Sequence, residues 1–195
     1  LAGDPLRAIR KPDPTSSRCV ERRMLLPDEW RWIESTLKQE DAANRYGMTP
    51  GERRLLYMTA IQTGLRSNEL RSLTVGNLHL AVEQPFITCK ATSTKNKKLA
   101  RQYVDARLAS DLGQHACDKN SGDRVFAMPH ETNVARMLRD DLAEARAAWG
   151  SIVEAKKTQN DDFLLPENHS GEILDFHSLR HTCGSWLAIS GAHPK

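Results

Sequence analysis

The sequence predicts an α+β domain, mostly helical, with one small antiparallel β-sheet. Three observations predict this class: two helical patterns with start signals before residue 75, a β-branched and aromatic stretch between residues 85 and 104, and apolar stripes at helical spacing beyond it. With 39% apolar residues in 195, the chain can bury one sizeable core.

Residues 1–23 carry Pro5, Pro12, Pro14 and Thr15-Ser16-Ser17 without apolar periodicity, the composition of a linker. They are expected to lead in from an upstream domain, with one domain over 24–195. A first helix is expected after Pro27, where Trp30, Ile33 and Leu37 recur at helical spacing behind Asp28 and Glu29, acids that suit a helix N-terminus. The second is expected over 50–63: Thr49 is the N-cap, Pro50 fits the first turn, Glu52 closes a capping box and Gly64 supplies a left-handed exit. A short third helix follows Ser67 and turns Leu70 and Leu73 inward, which leaves Arg66 at the corner between two helices.

Residues 85–89, 92–94 and 101–104 read as strands of the small sheet, with Asn96-Lys97 near the tip of its last hairpin. Helices are expected again over 106–117 and 131–149. The latter places Val134, Met137, Leu138, Leu142, Ala145 and Trp149 on one face, interrupted by Asp141. Residues 150–172 are polar, hold Lys156-Lys157, Pro166 and Gly171, and read as a loop; a last helix runs over 177–190 and ends at Gly191. There is no internal repeat and no low-complexity tract.

The 28 basic and 25 acidic residues leave a net charge of +3, so bulk charge does not mark a nucleic-acid binder and distribution has to carry that argument. From Lys90 to Arg101 five basic residues (Lys90, Lys95, Lys97, Lys98, Arg101) occur with no acid; taken alone, this run reads as a solvated loop. Cysteines 19, 89, 117 and 183 form no CxxC pair and predict reduced thiols. No apolar run reaches the ~20 residues of a membrane span, and no signal-peptide pattern opens the chain, so a soluble intracellular protein is expected.

Phosphodiester chemistry without a metal needs fixed cations around the transition state, an acid for the leaving oxygen, and a nucleophile. Arg66, after Thr63-Gly64-Leu65, has Glu69 three residues on, which is expected to hold the guanidinium in a bidentate pair. His177, Arg180 and His181 stand at i, i+3 and i+4, on one face of a helix beginning near Asp175, where anions are favoured. His177 and His181 have the spacing of a zinc pair, but position 178 is Ser rather than Glu and Arg180 would repel a dication, so no metal site is assigned.

The run from Thr63 to Leu73 (TGLRSNELRSL) resembles the first conserved box of the tyrosine recombinases, the phage integrase family. Phe176-His177-Ser178-Leu179-Arg180-His181-Thr182 is similar to the second box. Between them, Thr94-Lys95-Asn96-Lys97-Lys98 with Arg101 resembles the family's lysine-bearing β-hairpin. The resemblance spans roughly residues 24–193 and implies the tyrosine-recombinase catalytic-domain fold. It implies that Arg66 and Arg180 clamp the non-bridging oxygens of the scissile phosphate, that His177 transfers a proton or hydrogen-bonds the phosphate, and that Lys95 protonates the departing 5′ oxygen. Lys95 holds the first position of the Lys-x-x-Lys-x-x-Arg hairpin pattern, while hairpin geometry leaves Lys97 as the alternative. Glu69 becomes an orienting residue, His181 a structural helix residue, and Lys97, Lys98 and Arg101 contacts to DNA.

The resemblance further implies a site-specific recombinase that cuts and rejoins double-stranded DNA through a 3′-phosphotyrosyl intermediate, tetrameric on DNA, cytoplasmic and nucleoid-associated, with no cofactor and no membrane. The upstream domain would be DNA-binding. The family's downstream Leu-Gly-His segment and nucleophilic tyrosine do not occur in the sequence, so a fragment lacking its nucleophile, and itself inactive, is expected. Tyr46, Tyr57 and Tyr103 are the only tyrosines; Tyr57 and Tyr103 read as core. Asn77 stands where the family often carries Asp, a departure expected to be structural. A non-catalytic DNA-binding relative and a type IB topoisomerase-like enzyme are the rival readings.

Overall fold

The computed structural model describes residues 20–89, 100–153 and 162–191. Helix α1 (Pro27–Leu37) buries Trp30, Ile33 and Leu37 as its spacing predicts. Glu29 does more than suit the helix dipole, because it is wholly buried. Its carboxylate accepts the Leu26 amide (2.9 Å), two Arg23 guanidinium nitrogens (2.8 and 2.9 Å) and the Leu164 amide (2.7 Å), which fastens the start of α1 to the chain before α6.

Helix α2 (Pro50–Thr63) starts on the expected capping box: the Thr49 hydroxyl accepts the Glu52 amide (3.2 Å) and the Glu52 carboxylate accepts the Thr49 amide (2.8 Å). It ends at Gly64 with φ +62°, the left-handed exit. Helix α3 (Ser67–Ser72) buries Leu70, and Leu73 is buried just after it. A 3-10 turn over Val75–Asn77 follows, closed by Asn77, whose Oδ1 accepts from the Thr74 amide (3.0 Å) and hydroxyl (2.9 Å).

The sheet is three-stranded and antiparallel in the order β1 (Leu78–His79), β2 (Phe86–Cys89), β3 (Ala100–Tyr103). Strand β1 was not foreseen; two residues are too short to show an alternating pattern. The expected strand at 92–94 and the hairpin tip at Asn96-Lys97 lie outside the described residues. Ile87 and Cys89 of β2 face the core, while Phe86 and Thr88 are half-buried on the other face. Tyr103 corrects the sequence reading: it pairs opposite Phe86, on that outer face, and is 58% exposed rather than core.

Helix α4 (Ala106–Ala116) is capped by Asp105, which accepts the Leu108 amide (2.7 Å). Helix α5 (Glu131–Val153) runs past its expected end at 149, so residues 150–153 are helix and not loop. An interior glycine costs a helix only about 1 kcal/mol, too little for Gly150 to end it. Asp141, the interruption in its apolar stripe, is buried as the centre of a polar knot. It accepts Arg53 Nε (2.9 Å), Arg53 Nη2 (3.1 Å) and the Tyr57 hydroxyl (2.7 Å), and Arg53 Nη1 donates to the carbonyls of Ala43 (3.0 Å) and Met48 (3.1 Å). Every charge in the knot has its partners, which is the condition for burying it.

Helix α6 (Ser178–Ile189) packs on α2, and α1 on α5. The segment before α1 is laid against α6. The Leu25 amide donates to Thr182 Oγ1 (2.9 Å), the Trp186 indole donates to the Leu25 carbonyl (3.0 Å), and Arg22 pairs with Ile173 in a parallel bridge.

Candidate phosphate-binding site

Arg66 occupies the N-cap position of α3, two residues beyond the left-handed Gly64. The sequence predicts a bidentate Arg66–Glu69 pair; the geometry differs. One Glu69 oxygen accepts Arg66 Nη1 (3.1 Å) and the other accepts the Arg66 backbone amide (2.7 Å). A capping bond to the amide competes for the carboxylate, so Glu69 fixes backbone and side chain together. Glu69 is buried, Arg66 is 39% exposed at its side chain, and Arg66 Nη2 has no partner among the described residues.

The second box sits at the start of α6. Asp175 Oδ1 accepts the Ser178 amide (3.0 Å), and the Asp175 amide donates to Ser178 Oγ (3.0 Å). The turn begins near Asp175 as expected, with the Arg180 amide bonded to the His177 carbonyl (3.1 Å). His177 and His181 meet edge to face with centroids 5.4 Å apart. Arg180 Nη1 donates to the Gly64 carbonyl, and the Cys183 thiol to that of Gln62 (3.4 Å). Glycine suits this close approach: a Cβ at Gly64 would stand 3.3 Å from Cys183 Sγ, a tight contact, on a left-handed backbone at φ +62°.

Arg66, His177 and Arg180 thereby line one cavity of about 160 Å³, with Leu65, Ser67, Phe176 and the acids Glu131 and Asp175. His181, in ring contact with His177, lines instead a neighbouring cavity of about 440 Å³ with Arg22, Arg23 and Ser185. His177 is exposed overall, yet partial desolvation lowers its imidazole from the usual histidine value, and the charges of Arg22, His181 and Arg180 add to this against the opposing Asp175. A lowered value favours the neutral imidazole, which can donate one hydrogen bond and accept a proton. Two guanidinium groups beside a neutral imidazole suit a phosphodiester. Arg101 is on exposed β3, its guanidinium 5.0 Å over the Phe86 ring, away from this cavity. Lys95, Lys97 and Lys98 lie outside the described residues.

Sequence reasoning missed Asp175 and Glu131 as walls of the cavity and the Gly64 carbonyl as the anchor of Arg180. The Asp175-x-x-Ser178 spacing signals the cap; nothing local signals the other two.

Fold and site together define the class as a tyrosine-recombinase catalytic domain. The chain belongs to the phage integrase family, whose model matches residues 34–195. It is similar to the tyrosine recombinase XerD of Halalkalibacterium halodurans, 27% identical over 135 residues, which cover 67% of this chain and 38% of that protein. The chain thus spans well under half the length of this curated relative. Its fold resembles crystal structures of the XerA recombinase (TM-score 0.58, 16% identity, 89% of this chain and 53% of that one) and of the XerH recombinase bound to palindromic difH substrate after cleavage (0.56, 17%, 87% and 43%). It also resembles the Tn1549 transposon integrase in complex with circular-intermediate DNA (0.53, 13%, 89% and 54%). Among the described residues no helix is long and apolar enough to cross a membrane.

Proposed function

We propose that this chain carries the phosphate-activating part of a site-specific DNA recombinase that cuts and rejoins duplex DNA through a 3′-phosphotyrosyl intermediate. The observation that carries this reading is the convergence of Arg66, His177 and Arg180 on one cavity from segments far apart in the chain. Arg66 and Arg180 neutralise the non-bridging oxygens, and preorganised cations of this kind stabilise charge that builds in the transition state. His177 hydrogen-bonds the phosphate or takes a proton. Lys95, or Lys97 in its place, protonates the 5′ oxygen as that oxygen leaves phosphorus and the tyrosine oxygen forms its bond to it. Glu69 orients Arg66, His181 is structural, and Lys97, Lys98 and Arg101 contact the DNA. The chemistry draws on no metal or nucleotide cofactor.

The nucleophile is assigned to a tyrosine other than the three present. The Tyr57 hydroxyl is buried on Asp141, which with burial raises it well above the usual tyrosine range; the Tyr46 hydroxyl donates to Asp140 (2.6 Å); and Tyr103 lies on β3. Residues 1–23 are assigned to the connection from a DNA-binding domain and 24–195 to the catalytic domain. The whole protein is assigned as a tetramer on duplex DNA, associated with the nucleoid. DNA-bound XerH and Tn1549 integrase support the choice of DNA as partner.

The test is a nicked suicide duplex offered to a longer chain that bears a tyrosine after the second box. A covalent protein–DNA adduct is expected, and its loss in Arg66→Ala and Arg180→Ala. No adduct from the unaltered longer chain would sink the enzymatic reading and leave a DNA-binding relative.

A further inference from the structure

We propose that Arg22 is a positioning residue of the arginine-lined cavity: it cancels the charge of Asp175 and holds that carboxylate against the first turn of α6. The proposal rests on reading the cavity as a phosphate site. Arg22 lies ahead of residue 34, where the family match begins.

Arg22 Nε donates to both Asp175 oxygens, at 3.1 and 3.0 Å. Its backbone is held in register by the bridge to Ile173: the Ile173 amide donates to the Glu21 carbonyl (2.8 Å) and the Arg23 amide to the Ile173 carbonyl (3.1 Å). The guanidinium therefore reaches Asp175 from a fixed strand-like segment and gives up little freedom to do so.

Asp175 has two consequences that conflict. It caps α6, through Ser178, and so sets where His177 and Arg180 stand. It also puts a carboxylate on the wall of a cavity meant for an anion, beside Arg66, His177 and Arg180. Glu131, the other acid on that wall, is exposed at the start of α5 and is screened by water. Asp175 is screened less, since the Arg22 and Asp175 side chains are only 30% and 23% exposed. A paired guanidinium keeps the cap and removes the repulsion.

The charges facing His177 are Arg22, His181, Arg180 and Asp175, with Arg66 and Glu131 on the same cavity. Arg22 thus also bears on the imidazole, which gives a second readout.

The experiment measures binding of a short fluorescein-labelled duplex to the 195-residue chain at fixed salt, with NMR titration of the His177 imidazole. Arg22→Ala is expected to weaken binding about tenfold, Arg22→Lys to stay within about twofold of the unaltered chain, and Arg22→Ala combined with Asp175→Asn to return within about twofold. Asparagine caps a helix as well as aspartate does, so the double variant keeps α6 in place without the charge. The His177 midpoint is expected to rise in Arg22→Ala and to fall back in the double variant. A double variant as weak as Arg22→Ala would make Arg22 a direct phosphate contact and overturn the proposal, as would unchanged binding or an unmoved His177 midpoint in Arg22→Ala. Arg180→Ala binding as tightly as the unaltered chain would overturn the underlying phosphate reading instead.

Discussion

Arg180 donates a hydrogen bond to the backbone carbonyl of Gly64, joining the two arginine boxes across 116 positions of sequence. One guanidinium nitrogen is spent on this anchor, while Arg180 Nε and Nη2 have no partner among the described residues. The anchor fixes where the second arginine points relative to the first.

Gly64→Ala is expected to destabilise the domain by about 1–2 kcal/mol, the cost of a left-handed backbone with a Cβ, plus the 3.3 Å approach to Cys183 Sγ. Urea unfolding reads the stability. Because Arg180 hangs on the same residue, duplex binding measured well below the melting temperature should weaken too.

Asp141→Ala is expected to cost about 3–5 kcal/mol, because it leaves the buried Arg53 guanidinium without its carboxylate. Tyr57→Phe removes one bond to a charged acceptor and should cost about 1.5–3 kcal/mol. A circular-dichroism melt that places Asp141→Ala within error of the unaltered protein would contradict the account of the knot.

If Arg66 and Arg180 bind phosphate as proposed, Arg66→Ala and Arg180→Ala should each flatten the dependence of duplex affinity on salt by about one counterion. Arg101→Ala, on the exposed strand, should do the same without touching cleavage by the longer chain. Fluorescence anisotropy across a salt series measures the slopes.

The folded state holds His177 below the usual histidine value, so the unfolded chain binds more protons as pH falls through the unfolded pKa near 6.5. Stability contributed by neutral His177 is present above that value and is lost as pH drops through it, levelling off below the folded pKa. Unfolding curves from pH 8 to 5 should show this fall, and His177→Asn should reduce it.

Local chemistry was legible and long-range partnership was not. Thr49, Pro50, Glu52 and Gly64 announce α2 because caps act within four residues of their own helix. The two boxes and their arginines could be placed on helix ends for the same reason. Asp141 looked like a flaw in a stripe because Arg53 and Tyr57, which justify it, stand 88 and 84 positions away. Tyr103 sounded like core by residue type, whereas the face it occupies depends on the register of β3 against Phe86. Arg22 looked like linker because its partner is 153 positions distant.

The docking of Leu25 onto α6 bears on the order in which the chain folds. Its amide and carbonyl are satisfied by Thr182 and Trp186, 157 and 161 positions later. The main chain just before α1 therefore stays unpaired until α6 has been made, and contacts so distant in sequence slow folding. Among the described elements α6, which bears His177 and Arg180, follows all the others in the chain, so the Arg66 side of the cavity is made well before its partner from α6.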